Sequence, residues 1–432
     1  LEESVVEYDA VIVGAGILGL STAYHIKCEH PNAKILVVDK YNAVGQGSTA
    51  KSASAFRCFF SSYTNYVLSR SSIEFYRHLQ ENLGVDLKLQ QIGYLWLLDE
   101  ESYAELLLIL KTLGKEDFWY QEYEEAELAR KLGVQTDLTG DEEAQLMGLG
   151  NVHKGIFIPN AGIVDADCIV KFYESEFLRL GGEIQCGVKV EKLLIEPREP
   201  LGIPGEPYFW QDSRFSGVKT SKGVFMAKKI ILAAGAWIPQ LLDDVGIECY
   251  IKPKKRQIFA VEAKTPSLKR LLSVESFNPY NCLPFTILPK PRVIIRPFPN
   301  EGVFWLTYAD DFPRAFKLED EPQPEKNFYQ FGIYQVLVKY FPQFRDCHPS
   351  SAFAGLYEIN TLDGQPIVFE ERGLIVVGGA SGSGIMKADA LGRIAAALYA
   401  GEEYASLFGD RKFRISDLGL KNRRVQPEKL LI

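Results

Sequence analysis

Gly14, Gly16 and Gly19 form a G-x-G-x-x-G turn directly after the apolar run Tyr8–Val13 and directly before the amphipathic stretch Leu20–Ile26. Glycines at this spacing let the backbone turn tightly and aim its N–H groups, including those of Ile17 and Leu18, at a pyrophosphate on a helix N-terminus. Asp39 follows 25 residues after Gly14, at the end of a second apolar run, Ala33–Val38, with Lys40 beside it. A carboxylate there presents an acceptor pair to ribose hydroxyls. The chemistry indicated is dinucleotide binding. The turn alone does not separate a nicotinamide from a flavin dinucleotide, because both offer it the same ADP half. Just beyond Asp39, the small-residue segment Gly45–Ser54 supplies hydroxyl and backbone donors for the rest of a long dinucleotide, through Gly47, Ser48, Thr49, Lys51, Ser52, Ala53 and Ser54. No second G-x-G-x-x-G follows a strand, so a separate nicotinamide domain is not evident. If the bound group is a flavin, its electrons arrive from the substrate itself.

These residues need a βαβ unit to position them, and the first forty residues read as one: strand, glycine turn, helix, second strand. Helical periodicity follows from about Ser69 to Leu83, strand character over Leu87–Leu98, and two charged helices over Glu100–Arg130. A second nucleotide-domain-like segment begins near Gly155, with a helix over Asp165–Leu180 and strands over Glu183–Val190 and Lys229–Ala233. Between those strands the proline- and glycine-dense Pro197–Pro207 reads as a surface insertion in a hairpin. Ile251 to about Ala309 alternates apolar and polar residues with several prolines, as an antiparallel sheet does. The α/β pattern returns with a strand at Gly373–Val377, a turn at Gly378–Gly384 and a helix over Ala388–Ala400.

The whole is bounded by its composition. A length of 432 residues points to two or three domains, and 47% hydrophobic with 24% charged residues is that of a globular chain. A net charge of −8 leaves no dominant basic surface, which argues against nucleic acid as a partner. Apolar runs such as Leu106–Leu110 fall far short of the ~18 residues of a membrane span. The acidic opening Leu1-Glu2-Glu3-Ser4 has no apolar core of a secretory signal. Seven cysteines and five histidines are scattered without ligand spacing, so no metal site is expected and the thiols read as reduced and mostly buried. Cytoplasm is the expected location, with peripheral attachment to the inner face of a membrane if a quinone is the electron acceptor.

Six segments in order give the chain a resemblance to the D-amino-acid oxidase-like flavoproteins, which include glycine oxidase, sarcosine oxidase, dimethylglycine dehydrogenase and dye-linked L-proline dehydrogenase. They are Val11–Gly19 with Asp39, Gly47–Ser54, Gly155–Asp165, Ile231–Trp237, Tyr357–Pro366 and Gly378–Gly392. The overall look is most similar to the archaeal dye-linked L-proline dehydrogenases. The resemblance implies an α/β fold: a discontinuous Rossmann-like FAD-binding domain over 1–85, 150–248 and 345–432, and an α+β substrate domain with an antiparallel sheet over 86–149 and 249–344. It extends the cofactor residues to Val190, Ala234, Gly235, Trp237, Gly382, Ser383, Gly384, Ile385, Met386 and Lys387. Relatives that bind FAD covalently use a histidine where this chain has Lys51, or a cysteine near Gly355 and Leu356, so the expected FAD is non-covalent.

The resemblance also assigns a substrate site. Arg57 matches an arginine that pairs the substrate carboxylate, for which a planar guanidinium fork is suited. Lys387 lies within one position of a lysine that meets the same carboxylate, although Met386 aligns there equally well. Arg296 is either a second cation or an ordinary edge-strand arginine, and Tyr357 is either a contact to substrate or flavin or a packed core residue. The turn Gly382–Gly384 is similar to the family loop beneath the flavin pyrimidine, where a following helix N-terminus stabilises developing negative charge. The implied activity is oxidation of a small amino acid by hydride transfer to flavin N5, L-proline to pyrroline-5-carboxylate with a dye or quinone acceptor. An oxidase of sarcosine, glycine or a D-amino acid using oxygen is the alternative. A non-catalytic nucleotide-fold protein that binds a protein partner is the alternative of another class. The tail Phe413–Ile432, with Arg423-Arg424 and an apolar end, reads as a cap on the active-site mouth, a partner or membrane contact, or terminal disorder.

Overall fold

A computed structural model describes residues 7–113, 119–310 and 314–430. The Leu1–Ser4 opening and the last two residues of the tail lie outside them.

Two eight-stranded sheets carry the chain. In the first, Leu374–Gly378, Gly223–Leu232, Glu7–Val13, Ile35–Asp39 and Glu183–Cys186 lie side by side and parallel, with Ile367–Glu371 antiparallel at one edge. Val11, Ile12, Leu36, Val37, Ile230 and Ile231 are fully buried. That is why these strands read as unbroken apolar runs: helices or loops cover both faces of a parallel sheet. Helices Ile17–Glu29, Ala166–Arg179 and Ala388–Ala400 pack on one face. Ser21 and Gly392 meet where the first and last of these cross, and a Cβ on Gly392 would lie 2.2 Å from Ser21 Oγ. The same crossing is pinned by buried Asp389, whose carboxylate meets His25 Nε2 at 2.8 Å and Arg393 Nε at 2.7 Å. The expected hairpin insertion is present, joining Val190–Pro197 to Ser213–Thr220.

The second sheet runs Ser351–Asn360, Ile251–Glu262, Val303–Thr307, Ile294–Phe298, Phe285–Ile287, Tyr94–Leu98, Lys154–Ile158 and Gln121–Glu124. All its neighbours are antiparallel except Phe285–Ile287 with Tyr94–Leu98. Sheet membership departs from the segments read from sequence in two places. Lys154–Ile158 pairs with Tyr94–Leu98, and Ser351–Asn360 pairs with Ile251–Glu262, so both strands leave the nucleotide-binding segments to which sequence assigned them. A short apolar strand carries no local mark of which sheet will take it. Between the charged helices Glu100–Leu113 and Glu125–Leu132 a strand, Gln121–Glu124, was not anticipated.

Candidate active site

A cavity of about 410 Å³ opens along the C-terminal ends of Glu7–Val13, Ile35–Asp39 and Gly223–Leu232 and extends to Tyr357 and Ile385 on the second sheet's side. Its floor is the glycine turn. Gly14 has φ +110°, and a Cβ there would stand 2.5 Å from the Ala233 carbonyl oxygen. The Ile17 N–H donates to Thr49 Oγ1 at 3.2 Å, which ties the turn to the small-residue segment. Ser48 Oγ donates to the Leu356 carbonyl at 2.6 Å and ties that segment to the strand Ser351–Asn360. Asp39 accepts from Ala15 N at 2.7 Å through Oδ2 and from Tyr41 N at 2.9 Å through Oδ1. Burial pushes its carboxyl up, against the pull of those donors and Lys40. At the rim Lys40 pairs with Asp320 at 2.5 Å and lies over the Trp237 ring at 3.8 Å, while Trp237 Nε1 donates to the same carboxylate at 3.2 Å.

Most residues expected to hold the cofactor line this cavity: Gly14, Gly16, Ile17, Leu18, Asp39, Lys40, Gly47, Ser48, Thr49, Ser52, Val190, Ala234, Gly235, Trp237, Gly382, Gly384 and Ile385. Seven do not, each with a packing reason. A Cβ on Gly19 would lie 1.9 Å from the Gly14 carbonyl oxygen, so this glycine lets helix and turn touch. Lys51 packs with its Cβ 2.9 Å from where one on Gly355 would stand. The carbonyls of Ala53 and Ser54 are taken by Arg296 and by the Val164 N–H. Ser383 Oγ donates to the Ala380 carbonyl at 2.7 Å, Met386 is in the apolar core, and Lys387 is fully buried behind them.

Tyr357 joins the cavity to a cluster of buried cations around Tyr94, the cationic chamber. Its ring occupies the space a Cβ on Gly382 would fill, at 2.2 Å, and it lies within electrostatic reach of the buried Tyr94, as do Arg57 and Arg296. Arg57 sits at the end of Ala55–Arg57, which pairs with Ala161–Ile163; a Cβ on Gly162 would stand 2.0 Å from the Gln90 carbonyl oxygen, so only glycine lets this ribbon seat. Its guanidinium donates to the carbonyls of Phe59, at 3.1 Å, and Leu430. The Phe60 ring meets both Arg57, at 4.2 Å, and Lys387, at 4.8 Å. Burial first, and then repulsion from Arg57, brings the Lys387 ammonium down to about 7 against the attraction of Glu428; its Nζ donates to Ser383 Oγ at 2.5 Å. Arg296 occupies an interior strand, not an edge, and stacks on Phe298 at 4.2 Å and Trp305 at 5.0 Å. Its Nη1 donates to Ala53, its Nε is buried without a partner, and burial lowers it to about 9.

The tail, described through Leu430, reaches this chamber. Arg423 grips Asp363 through Nε at 2.6 Å and Nη2 at 2.7 Å. Glu428 accepts from Ser61, Ser62 and Asn65 at the N-terminus of helix Tyr63–Asn82, and from Leu430 N at 2.9 Å. Although burial opposes ionisation, Arg57 and those donors hold Glu428 down to about 2. Sequence reasoning did not single out Tyr94, Glu358 or Glu428, and read Leu430 only as part of the tail's apolar end. Glu358 stands inside the Tyr357–Pro366 segment and is visible there only as a carboxylate among apolar neighbours; Tyr94 and Glu428 carry no local signal.

The FAD dependent oxidoreductase family matches residues 9–398, spanning the glycine turn, both sheets and the helix Ala388–Ala400. The chain belongs to this family. This FAD-dependent oxidoreductase is 25% identical to FAD-dependent oxidoreductase domain-containing protein 1 of Xenopus laevis over 90% of its own length and 78% of the relative's. It is 26% identical to the glycine oxidase of Pseudomonas putida, covering 57% of this chain and 60% of that one. Among solved structures, L-proline dehydrogenase from P. horikoshii shares the fold at a TM-score of 0.72 and 19% identity, over 92% of this chain and 94% of the other. The oxidoreductase's cavity fits its cofactor: the turn admits no Cβ at Gly14, Gly14, Gly16, Ile17 and Leu18 line the cavity, and Asp39 closes the end expected for ribose. Among the described residues no helix is long and apolar enough to cross a membrane, and no group of three or more His, Cys, Asp or Glu side chains is placed to hold a metal.

Proposed function

We propose that this oxidoreductase oxidises a small amino acid at the carbon bearing its amine, L-proline to pyrroline-5-carboxylate being the reaction to test first, with a dye or quinone as electron acceptor. The observation carrying this reading is the pair of buried guanidinium groups, Arg57 and Arg296, within reach of one tyrosine and adjoining the cofactor cavity through Tyr357. Buried cations need anionic partners, and Arg296 has an unpartnered N–H. A substrate carboxylate completes it. Arg57 is already bonded to two carbonyls, so it adds a second hold when the carboxylate exchanges with the Leu430 carbonyl. FAD, when bound, accepts the hydride that leaves the amine-bearing carbon. The chain's part is to fix that carbon and to favour the neutral amine, since neighbouring guanidinium charge and burial both disfavour an ammonium. Lys387, near 7, is about half protonated at neutral pH and adds only part of a charge.

The names of similar proteins support the amino-acid class: a glycine oxidase by sequence and an L-proline dehydrogenase by fold. An oxygen-using oxidase is the second reading, favoured by the relatives named as oxidases, glycine oxidase and 4-methylaminobutanoate oxidase. Anaerobic titration of the flavin-loaded protein with L-proline, sarcosine, glycine and D-alanine tests both. Bleaching by L-proline, with dye reduction outpacing oxygen uptake, is the expected result. Bleaching by another member moves the substrate, fast oxygen uptake moves the acceptor, and no bleaching by any small amino acid overturns the proposal.

A further inference from the structure

Two carboxylates matter in the cofactor cavity, and they are treated differently. Asp39 has a backbone N–H on each oxygen. Glu358, which lines the cavity from the strand Ser351–Asn360, has one well-formed hydrogen bond, from Ala380 N to Oε1 at 3.2 Å, with the Gly379 backbone close by. Its Oε2 is buried with no partner. Two glycines make the space for it, since a Cβ on Gly378 would stand 3.1 Å from Oε2 and one on Gly235 3.8 Å away. The Glu358 backbone carbonyl accepts from Ser381 N at 3.2 Å, which anchors the turn Gly379–Gly384 to the strand.

A buried acceptor without a donor is destabilising, and a native structure that keeps one does so for a ligand, a water or a reactive role. The side chain is tuned for a neutral donor. Burial pushes its carboxyl up to about 7, the backbone of Ala380 and Gly379 draws it down, and no cation adds to these effects. The position within the cavity selects among the cofactor's parts. Gly14 and Gly16 floor the pyrophosphate end and Asp39 the adenosine end, whereas Glu358 stands between Gly235 and Ala380, toward the turn that leads to Tyr357. A carboxylate is a poor neighbour for a phosphate oxygen and a good one for a hydroxyl.

We infer that Glu358 is a cofactor-holding residue whose free Oε2 accepts a hydrogen bond from a hydroxyl on the flavin side of FAD. It is a binding group, with no part in the hydride step. The test is flavin release from the holoprotein, read as the rise of flavin fluorescence on dilution, together with the melting temperature in saturating FAD. Glu358→Leu removes the acceptor and is expected to weaken FAD retention about ten- to a hundredfold, the scale of a hydrogen bond to a charged group. Glu358→Gln keeps a carbonyl acceptor and is expected to stay within about tenfold of wild type. At saturating FAD the two variants should melt alike. Wild-type retention in Glu358→Leu overturns the assignment. So does a melting loss in saturating FAD without faster release, which marks a structural role, and so does tighter FAD binding by Glu358→Gln, which marks a donor.

Discussion

The cofactor cavity and the cationic chamber behind it share Tyr357 as a wall, yet they are built on opposite principles. The cavity is made of backbone and absent side chains: Gly14, Gly16, Ala234, Gly235 and Gly382, with Thr49 and Ser48 as fasteners. The chamber is made of long side chains delivered by distant segments: Arg57 from a two-stranded ribbon, Arg296 from the interior of the second sheet, Lys387 from the turn before the last helix, and Glu428 from the tail. Backbone groups cost little to leave facing a cavity; three buried cations near one another do not. The chamber therefore comes with internal compensation in the form of Glu428, the carbonyls of Phe59, Leu430 and Ala53, and aromatic faces. A cofactor site can be general across a family because it is backbone; a substrate site built this way changes with every side chain.

The sharpest break between the two regions is a variant that empties one and spares the other. Gly14→Val puts a side chain on a backbone oxygen at positive φ, so FAD retention should fall at least about a hundredfold, seen as loss of visible flavin absorbance in the purified protein. Arg296→Met should do the reverse: full flavin content and kcat/KM for the bleaching amino acid down about a hundredfold, with Arg57→Met similar or smaller because the tail already shares that guanidinium. If Arg296→Met loses flavin instead, the chamber is not separate from the cavity. Glu428→Gln removes the charge paired with Arg57 and should destabilise by about 3 kcal/mol in thermal unfolding at neutral pH. The folded carboxyl lies near 2, below its ordinary 4.5, so this difference is full above 4.5 and shrinks as pH falls toward 2. For Lys387 the slope has the same sign, in a higher pH window. Its folded value near 7 is below the ordinary 10.5, so folding releases a proton between them and the wild type gains stability as pH rises, by about 1 kcal/mol from pH 7 to 8; Lys387→Met should remove that slope. Lys317, exposed and paired with Glu319 at 3.2 Å, belongs to neither region, and Lys317→Ala should change stability by less than ~0.5 kcal/mol and leave oxygen uptake as it was.

The same contrast explains what was legible in advance. The glycine turn, Asp39, the Gly47–Thr49 segment and the helix Ala388–Ala400 stand where the sequence predicts them, because each is a local pattern with a local physical cause. Lys51, Ala53, Ser54 and Ser383 belong to matching segments yet face packing partners, since a segment's composition does not say which of its side chains point inward. Arg296 reads as an edge arginine until Phe285–Ile287 is seen pairing beyond it.

By itself the sequence determined that a strand, a glycine turn and a helix would cradle a dinucleotide, for that pattern lies within forty residues; the contact that forbids a Cβ at Gly14 comes from distant Ala233. Tertiary structure decided what the cradle faces. Strand pairing carried Arg296 and Tyr94 to one chamber, and the tail brought Glu428 to Arg57 across more than 370 positions. Contacts of that range are fixed by how whole sheets and termini bury their apolar faces, a property of the packed chain that no short window of residues contains.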